Sequence, residues 1–264
     1  ISLIFLIGIS LGLGISIKMT SFLLIPFTIL FIIMKELKPS KHYGIMNIFK
    51  SFYNICIMIF ISVFIYFMFF CIHFLLLERS SRDAVDFLPN DIFHYLFNTT
   101  FDKLSIIDSL CRISKLFAIS IRMNYIMYQT NQKITQFHPY SSNPSTWPML
   151  TGIWVGMWSN DETMQQINCF GNLFVYLFTS LALIYSISRA CMLSDVTVPS
   201  ISIIGWCLSY LPFYFVARTT FLYHYQIALF FSILNFGFVS SFNQFVSYSS
   251  RVGALLSIGG FVYW

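Results

Sequence analysis

The polar side chains with the clearest chemical potential lie between two apolar runs near the end of the chain. Arg218 occupies the short gap between these runs, and His224 and Tyr225 are predicted to lie one to two turns into the helix formed by the second run. A guanidinium group binds phosphate oxygens through two parallel hydrogen bonds, and a histidine within an apolar run is a functional candidate because its burial is costly. Two interpretations stay open: an anion site, or an arginine that anchors the turn and a histidine that makes a packing hydrogen bond.

A second concentration of polar and aromatic groups is the sequence HPYSSNPSTWP, residues 138–148. Three prolines in eleven residues exclude regular helix and strand, so the pattern predicts a rigid, extended loop. This loop would present His138, Tyr140 and Trp147, together with several hydroxyl groups, for binding. The alternative is an ordered plug that packs against neighbouring helices.

Lys18 is the one charge between the first two apolar runs. An unpaired charge at the centre of a bilayer is costly. The sequence therefore predicts two helices joined by a tight turn, with Lys18 near a membrane face. It would be either a headgroup-facing lysine or a functional cation.

The sequence shows no pattern of residues that indicates a metal site. The six cysteines show no CxxC or Cys/His spacing that would hold zinc, so we predict no metal site. The basic residues form no tract, which excludes a nucleic-acid-binding protein.

The elements that must position these residues are membrane helices. Hydrophobic residues make up 57% of the 264 residues and charged residues 9%, and the mean hydropathy is +0.75. Soluble domains carry about 25% charged residues, so this chain could not cover a water-soluble surface. The composition predicts an all-α, polytopic transmembrane bundle.

Apolar runs of bilayer length predict about six to seven spans in this chain. A cut seventh run follows the six longer ones. The runs are 1–17, 21–34, 52–77, 170–187, 198–217, 221–239 and 252–264.

The charge distribution predicts which side each loop faces. Four lysines against one glutamate lie within residues 35–50, and short loops rich in Lys and Arg stay cytosolic. The segment 78–168 then lies on the luminal side, where Asn98 begins a glycosylation sequon. Its acidic first half predicts short surface helices, and 110–128 predicts one interfacial helix.

Both ends of the sequence lie inside apolar runs, and residue 1 is Ile. We therefore expect a fragment of a longer protein. Its expected parts are the end of one transmembrane module (1–77), a partly helical luminal loop (78–168) and a C-terminal four-helix-type module (169–264).

The motifs, taken in order, resemble the protein O-mannosyltransferase family. HPYSSNPSTWP is similar to that family's luminal loop, with matching sequence on both sides of it (MNYIMYQTNQ, GIWVGMW). Three further stretches resemble the family in order: GISLGLGISIKMT (8–20), QINCFGN (166–172), and YLPF (210–213) with Arg218, Phe221, His224 and Tyr225. Leu173 stands where the family usually has Pro, and Tyr223 where many members have His.

The resemblance implies an endoplasmic reticulum enzyme that transfers mannose from dolichyl phosphate mannose to Ser or Thr of secretory proteins. It implies donor-phosphate binding by Arg218, His224 and Lys18, and acceptor or loop contacts by His138, Tyr140, Trp147 and Tyr225. The family's catalytic acidic pair would lie upstream of residue 1, so the catalytic residues are unknown here and this fragment is expected to be inactive. The family's luminal repeats have no room in the loop. A homologous partner subunit is implied, and a need for a divalent cation is left open.

Two alternatives remain. The chain could be a non-catalytic partner subunit of such a transferase, which would serve assembly or acceptor binding. A transporter is a weaker alternative, because the sequence shows no internal repeat and only Lys18 as a mid-membrane charge.

Overall fold

The computed structural model describes residues 2–36, 45–76, 106–152, 155–169, 171–191, 197–242, 248, 251–256 and 258. The described part of the chain is mostly helical, which confirms the predicted helical architecture. It forms two compact units, Ile1–Phe22 with Ile29–Lys133, and Leu23–Thr28 with Ile134–Trp264.

Most of the first unit consists of three helices and the part of a fourth that begins at Ile29. Helix α1 is Ser2–Ile17, a 3₁₀ turn follows at Met19–Leu23, and α2 is Leu24–Glu36. Helix α3 is Ile45–Leu76 and α4 is Ile106–Gln132. Helix α4 contains the predicted helix 110–128 and extends it at both ends.

The predicted break at Lys18 is present. Helix α1 ends at Ile17, and the Lys18 amide donates to the Gly14 carbonyl at 3.0 Å. The Lys18 carbonyl accepts from the Ser21 amide at 3.0 Å, which tightens the chain into the 3₁₀ turn. Lys18 itself is exposed.

Glycines on α1 allow a close approach to α3. A Cβ atom added at Gly8 would lie 2.9 Å from Ile61 Cβ, and one added at Gly12 would lie 2.7 Å from Ile65 Cβ and 2.9 Å from the Ser62 carbonyl oxygen. The Ser62 hydroxyl donates to the Gly8 carbonyl at 3.0 Å. Small residues four apart at a helix contact are typical of membrane helix packing.

Replacing Gly12 with alanine is expected to destabilise the α1–α3 pair by about 1–3 kcal/mol, because overpacking forces backbone shifts. Gly14 supplies the matched control on the same helix, since an added Cβ there would only touch Ser21 at 3.5 Å. Gly14→Ala should be neutral or slightly stabilising, because alanine is the better helix former. Thermal unfolding of the purified protein in detergent measures both, and equal midpoints for the two variants would contradict the packing.

Helix α4 is tied to α3 by polar and aromatic contacts. The Tyr66 hydroxyl donates to the side-chain oxygen of Asn124, whose amide nitrogen donates to the Ser120 carbonyl at 2.8 Å. The rings of Phe67 and Phe117 lie 4.9 Å apart. These contacts fix the face that α4 turns towards α3.

Within the described residues, the second unit combines three long helices, a helical stretch at 251–256 and a β-hairpin. Strands β1 (Val155–Asn160) and β2 (Gln165–Cys169) pair antiparallel, with a register shift between Gly156 and Trp158. Helices α5 (Leu173–Cys191), α6 (Thr197–Tyr210) and α7 (Gln226–Phe242) follow. The all-α prediction did not include this hairpin. Strands of five and six residues are too short to be distinguished in a sequence dominated by long apolar runs.

Two local features decide where α5 and α6 begin and end. The Asn172 side chain caps α5 by accepting from the amides of Phe174 (3.1 Å) and Val175 (3.2 Å). Helix α6 stops at Tyr210, well before the predicted end at 217, and a 3₁₀ turn spans Leu211–Tyr214. The prediction was wrong there because Pro212 has no N–H to donate and cannot continue the helix.

Four helical segments of the described chain are long and apolar enough to cross a membrane: Met19–Glu36, Ile45–Phe74, Leu173–Cys191 and Leu222–Ser241. Two shorter apolar helices, Leu3–Ile17 and Ser200–Tyr214, match two further predicted runs. These features are those of a multi-pass membrane protein. The surface helices predicted around residues 78–105 and the sequon at Asn98 lie outside the described residues.

Candidate functional site

The proline-rich loop, defined here as residues 134–148, is irregular, as its prolines predict. Its only regular piece is a 3₁₀ turn at Pro144–Thr146. Asn143 caps this turn, because its side-chain oxygen accepts from the Ser145 amide at 3.1 Å and the Ser145 hydroxyl at 3.2 Å. The loop therefore has a defined conformation that rests on its own side chains.

Trp147 anchors the loop in the second unit. Its side chain is 0% exposed, and its indole N–H donates to the Ser142 hydroxyl at 2.9 Å. The ring packs edge-on against Phe213 at 5.3 Å and lies nearly parallel to His224 at 6.3 Å. An aromatic ring buried in this way contributes several kcal/mol to the fold.

Hydrogen bonds join the loop to the helices around this tryptophan. The Tyr210 hydroxyl donates to the Pro144 carbonyl at 2.8 Å, and the Ser180 hydroxyl donates to the Pro148 carbonyl at 2.5 Å. In the same aromatic region, the Trp206 indole N–H donates to the Tyr225 hydroxyl at 2.9 Å. Side chains of α5 and α6 thus bind the loop through its backbone carbonyl groups.

A second attachment, which we call the threonine clasp, consists of Thr219 and Thr220 in the α6–α7 connection. The Thr219 amide donates to the Ile134 carbonyl (3.0 Å), and its hydroxyl donates to the Gln136 carbonyl (2.7 Å). The Ser142 amide donates to the Thr220 carbonyl (2.9 Å), while the Thr220 hydroxyl donates to the Ser142 carbonyl (2.8 Å). Four bonds therefore fasten both ends of residues 134–142 to the segment that carries Arg218.

The clasp and the loop line an open pocket of about 380 Å³. Among the described residues that line it, Arg218 alone is charged, and most of the others carry hydroxyl or amide groups. The lining residues are Thr135, Phe137, Ser141, Ser142, Asn143, Ala217, Arg218, Thr219 and Thr220. A cationic pocket with hydroxyl and amide walls is suited to an anion that also carries hydroxyl groups.

Arg218 lies at this pocket, in the connection where the sequence analysis expected it. Its side chain is half-buried, and its Nε–H donates to the Thr219 carbonyl at 3.3 Å. This bond joins the arginine side chain to the backbone of the threonine clasp.

His224 and Tyr225 occupy a different element from the one predicted. They lie in a 3₁₀ turn, Leu222–Tyr225, that precedes α7, rather than one to two turns inside a helix. The reason is local: Phe221 is extended, and His224 Nδ1 lies 3.1 Å from the Phe221 amide nitrogen and 3.0 Å from its carbonyl oxygen. Both side chains are buried, at 7% and 1% exposure.

The remaining predicted residues divide between surface and interior. His138 and Tyr140 are exposed neighbours, with ring centroids 5.6 Å apart, and the His138 ring also lies 5.3 Å from Phe221. Trp147 and Tyr225 belong to the buried aromatic cluster of the second unit. Lys18 belongs to the first unit.

Sequence reasoning did not nominate several residues that build the pocket, in particular Ser142, Asn143, Thr219 and Thr220. Ser142 and Asn143 stand inside the conspicuous proline-rich stretch, so their polarity was visible. The threonines follow Arg218 directly, which was the available signal. Their pairing with residues 134–142 joins segments almost eighty residues apart, and no local pattern encodes it.

Carboxylates and metal-ligand clusters are absent from the described part of the site. The described pocket lining contains no Asp or Glu, and no group of three or more His, Cys, Asp or Glu side chains within the described ranges could hold a metal. The pocket can therefore bind an anion, but its described walls offer no carboxylate as a general base.

Replacing Thr220 with valine is expected to loosen residues 134–142, because it removes the hydroxyl donor to the Ser142 carbonyl and leaves the shape nearly unchanged. The cost should be about 1 kcal/mol, with faster amide hydrogen exchange in residues 134–143. Thr220→Ser retains the hydroxyl and should exchange like the wild type. Identical exchange in the valine variant would show that the clasp does not hold the loop.

Comparisons with known proteins agree with the family resemblance of the sequence motifs. A family model described as the C-terminal four TMM region of protein-O-mannosyltransferase matches residues 116–263. The dolichyl-phosphate-mannose–protein mannosyltransferase 1 of Candida albicans is 29% identical over 143 residues, which cover 47% of this chain and 16% of that protein. Human protein O-mannosyl-transferase 1 is 32% identical over 114 residues, which cover 37% of this chain and 15% of that protein.

A solved structure, that of the S. cerevisiae protein O-mannosyltransferase Pmt1-Pmt2 complex bound to the sugar donor, is also similar. The similarity covers 61% of this chain and 23% of that one, with 19% identity and a TM-score of 0.40. The chain spans about a sixth of the length of the curated relatives it matches. Since the family model covers more than half of the chain and includes the proline-rich loop and the Arg218 pocket, the chain belongs to the protein O-mannosyltransferase family.

Proposed function

We propose that this chain is the C-terminal part of an enzyme that transfers mannose from dolichyl phosphate mannose to Ser or Thr hydroxyls of secretory proteins. The observation that carries the proposal is the family match over residues 116–263. The names of two relatives, from Candida albicans and S. cerevisiae, specify dolichyl phosphate mannose and a protein mannosyltransferase, which supports this donor and this class of acceptor.

The Arg218 pocket is the proposed site for the donor phosphate. In the reaction, the acceptor oxygen forms a bond to C1 of mannose while the bond from C1 to the phosphate oxygen breaks. The electron pair leaves with dolichyl phosphate, and the hydroxyl proton passes to a base. Direct attack inverts the configuration at C1. A guanidinium group stabilises the charge that grows on the leaving phosphate, and the polar walls around Arg218 support this role.

Phosphate-related roles are also proposed for His224 and Lys18, each within its own unit. His224 is buried and bonded to the backbone of Phe221, so it would act by fixing the turn that follows Arg218. Lys18 is exposed at a helix break, where its ammonium group could reach a headgroup. The polyprenyl chain would lie along apolar helices, as membrane lipid does.

The acceptor polypeptide is proposed to approach over the exposed face of the proline-rich loop. His138 and Tyr140 are exposed there and could contact the acceptor directly. Trp147 and Tyr225 are buried, so we propose that they stabilise the conformation of the loop and do not contact the acceptor directly.

The proposed setting is the endoplasmic reticulum membrane. Six to seven spans would place residues 35–50 in the cytosol and 78–168 in the lumen. Residues 1–77 would end one transmembrane module and 169–264 would form another. The four long apolar helices support a multi-pass protein, and the rest of this topology follows from the positive charges of residues 35–50.

One observation favours a second candidate, a non-catalytic partner subunit. The described walls of the pocket carry no carboxylate, although transfer to a hydroxyl requires a base. A catalytic protein would supply that base from residues other than the described pocket lining. A partner subunit would bind donor or acceptor and leave the base to a homologous catalytic chain.

A transfer assay on the full-length gene product separates these candidates. The purified protein is incubated with dolichyl phosphate mannose labelled in the sugar and a Ser/Thr-rich peptide, alone and with a homologous partner, with and without divalent cation. Mannosyl peptide from the protein alone supports the enzyme. Activity only with a catalytically intact partner supports the second candidate. No transfer with any partner contradicts both.

A further inference from the structure

The side-chain amide of Asn143 has an orientation set by the loop itself. Its oxygen accepts from both the amide and the hydroxyl of Ser145, at 3.1 and 3.2 Å. Since the amide is planar, two donors on the oxygen leave the NH₂ group on the opposite side. The exposed Asn143 therefore has one end committed to the 3₁₀ turn and the other end available as a donor.

Asn143 lines the same pocket as Arg218. Several other polar groups of the lining are engaged in holding the loop: the Thr219 and Thr220 hydroxyls donate to loop carbonyls. The Ser142 hydroxyl accepts from Trp147. Asn143 and Arg218 are the lining side chains that carry several N–H donors each, and one of the two is neutral while the other is cationic.

We propose that the Asn143 amide donates a hydrogen bond to the phosphate bound by Arg218. This inference rests on the proposed function, and it names a substrate contact that the sequence analysis did not nominate. The donor is a phosphodiester with one negative charge, and the departing dolichyl phosphate carries two. A neutral N–H donor that is already oriented gains strength as this charge develops, and it needs no reorganisation during the reaction.

Asn143→Asp tests the contact with little change in shape. The aspartate oxygen can still accept from Ser145, because Asp caps a turn as well as Asn does. The two N–H donors are lost, and a negative oxygen takes their place next to the phosphate. We expect the affinity for dolichyl phosphate mannose to fall at least about tenfold, with an unchanged midpoint of thermal unfolding.

Asn172 supplies the matched control. Its side-chain oxygen also caps a helix, by accepting from Phe174 and Val175, and it does not line the pocket. Asn172→Asp makes the same chemical change at a cap outside the pocket lining and should leave donor affinity at the wild-type value. Asn143→Ala removes cap and donor together and adds no charge, so we expect a loss in affinity accompanied by a lower unfolding midpoint.

Binding is measured on the full-length protein in lipid nanodiscs with dolichyl phosphate mannose, dolichyl phosphate and dolichol. The expected pattern is a loss for both phosphorylated lipids and no change for dolichol. Equal affinity of wild type and Asn143→Asp for dolichyl phosphate would overturn the proposal, as would an equal loss for dolichol. Because binding is read without turnover, a protein that binds donor but transfers no mannose contradicts the proposed function alone.

Discussion

Replacing Trp147 with alanine is expected to destabilise the second unit by about 3–5 kcal/mol. The side chain is fully buried, and its removal would leave a cavity against Phe213 and His224. It would also leave the Ser142 hydroxyl without its indole donor. The measurement is the midpoint of thermal or denaturant-induced unfolding of the purified protein in detergent.

Two variants separate the packing of Trp147 from its hydrogen bond. Trp147→Phe keeps an aromatic ring and loses the indole N–H, so it should retain most of the stability. Tyr140→Ala, on the exposed face of the same loop, should change the midpoint little. An unchanged midpoint for Trp147→Ala would mean that the loop is not anchored by this residue.

The loss of Trp147 should also disturb the conformation of the Arg218 pocket. Ser142 bonds to Trp147 through its hydroxyl and to Thr220 through its backbone, so one residue links the aromatic cluster to the threonine clasp. Donor affinity should therefore fall together with stability. In Thr220→Val, by contrast, the aromatic cluster stays intact and only the clasp is weakened.

Features encoded by consecutive residues could be predicted from the sequence. The prolines at 139, 144 and 148 exclude regular structure wherever the loop lies, and the charge of Lys18 between two apolar runs predicts a helix break. Long apolar runs predict helices such as α3 and α5 because a span needs about twenty residues. These expectations depend on local chemistry alone, and the fold agrees with them.

Features that depend on distant partners could not be predicted. Thr219 bonds to Ile134 and Gln136, and Tyr210 bonds to Pro144, across more than sixty residues of chain. Neither hydroxyl group has a sequence neighbour that indicates its acceptor. His224 was misplaced for a related reason, since an apolar run does not reveal that its first turn is 3₁₀.

The resemblance to a family supplied what local chemistry could not. Residues 138–148 and 210–225 were recognised as parts of one motif series, and in the structure both contribute to the aromatic cluster around Trp147. The resemblance implied donor-phosphate binding by Arg218 and His224 and acceptor or loop contacts by Trp147, without stating which of them would be exposed. Burial then distinguishes them: Arg218 lines the pocket, and the other two support it.

Replacing Arg218 with glutamine should lower kcat/KM for dolichyl phosphate mannose by about two to three orders of magnitude, the usual loss when a preorganised charge-stabilising donor is removed. The pocket would lose the one charged residue among its described lining. Arg218→Lys should recover part of this loss, because it restores the charge without the two parallel hydrogen bonds. The assay is mannose transfer by the full-length protein, with the donor and acceptor concentrations varied separately.

Arg189 is the matched control, since it is an exposed arginine in the last turn of α5 and does not line the pocket. Arg189→Gln makes the same change in charge and should leave both kinetic constants unchanged. A phosphate role predicts that Arg218→Gln also weakens the binding of dolichyl phosphate, which lacks the sugar. If Arg218 only anchored the turn, its replacement would instead lower the unfolding midpoint, as is expected for Thr220→Val, and would affect donor and acceptor alike. The two roles therefore give opposite results in binding and in stability, and the pair of variants decides between them.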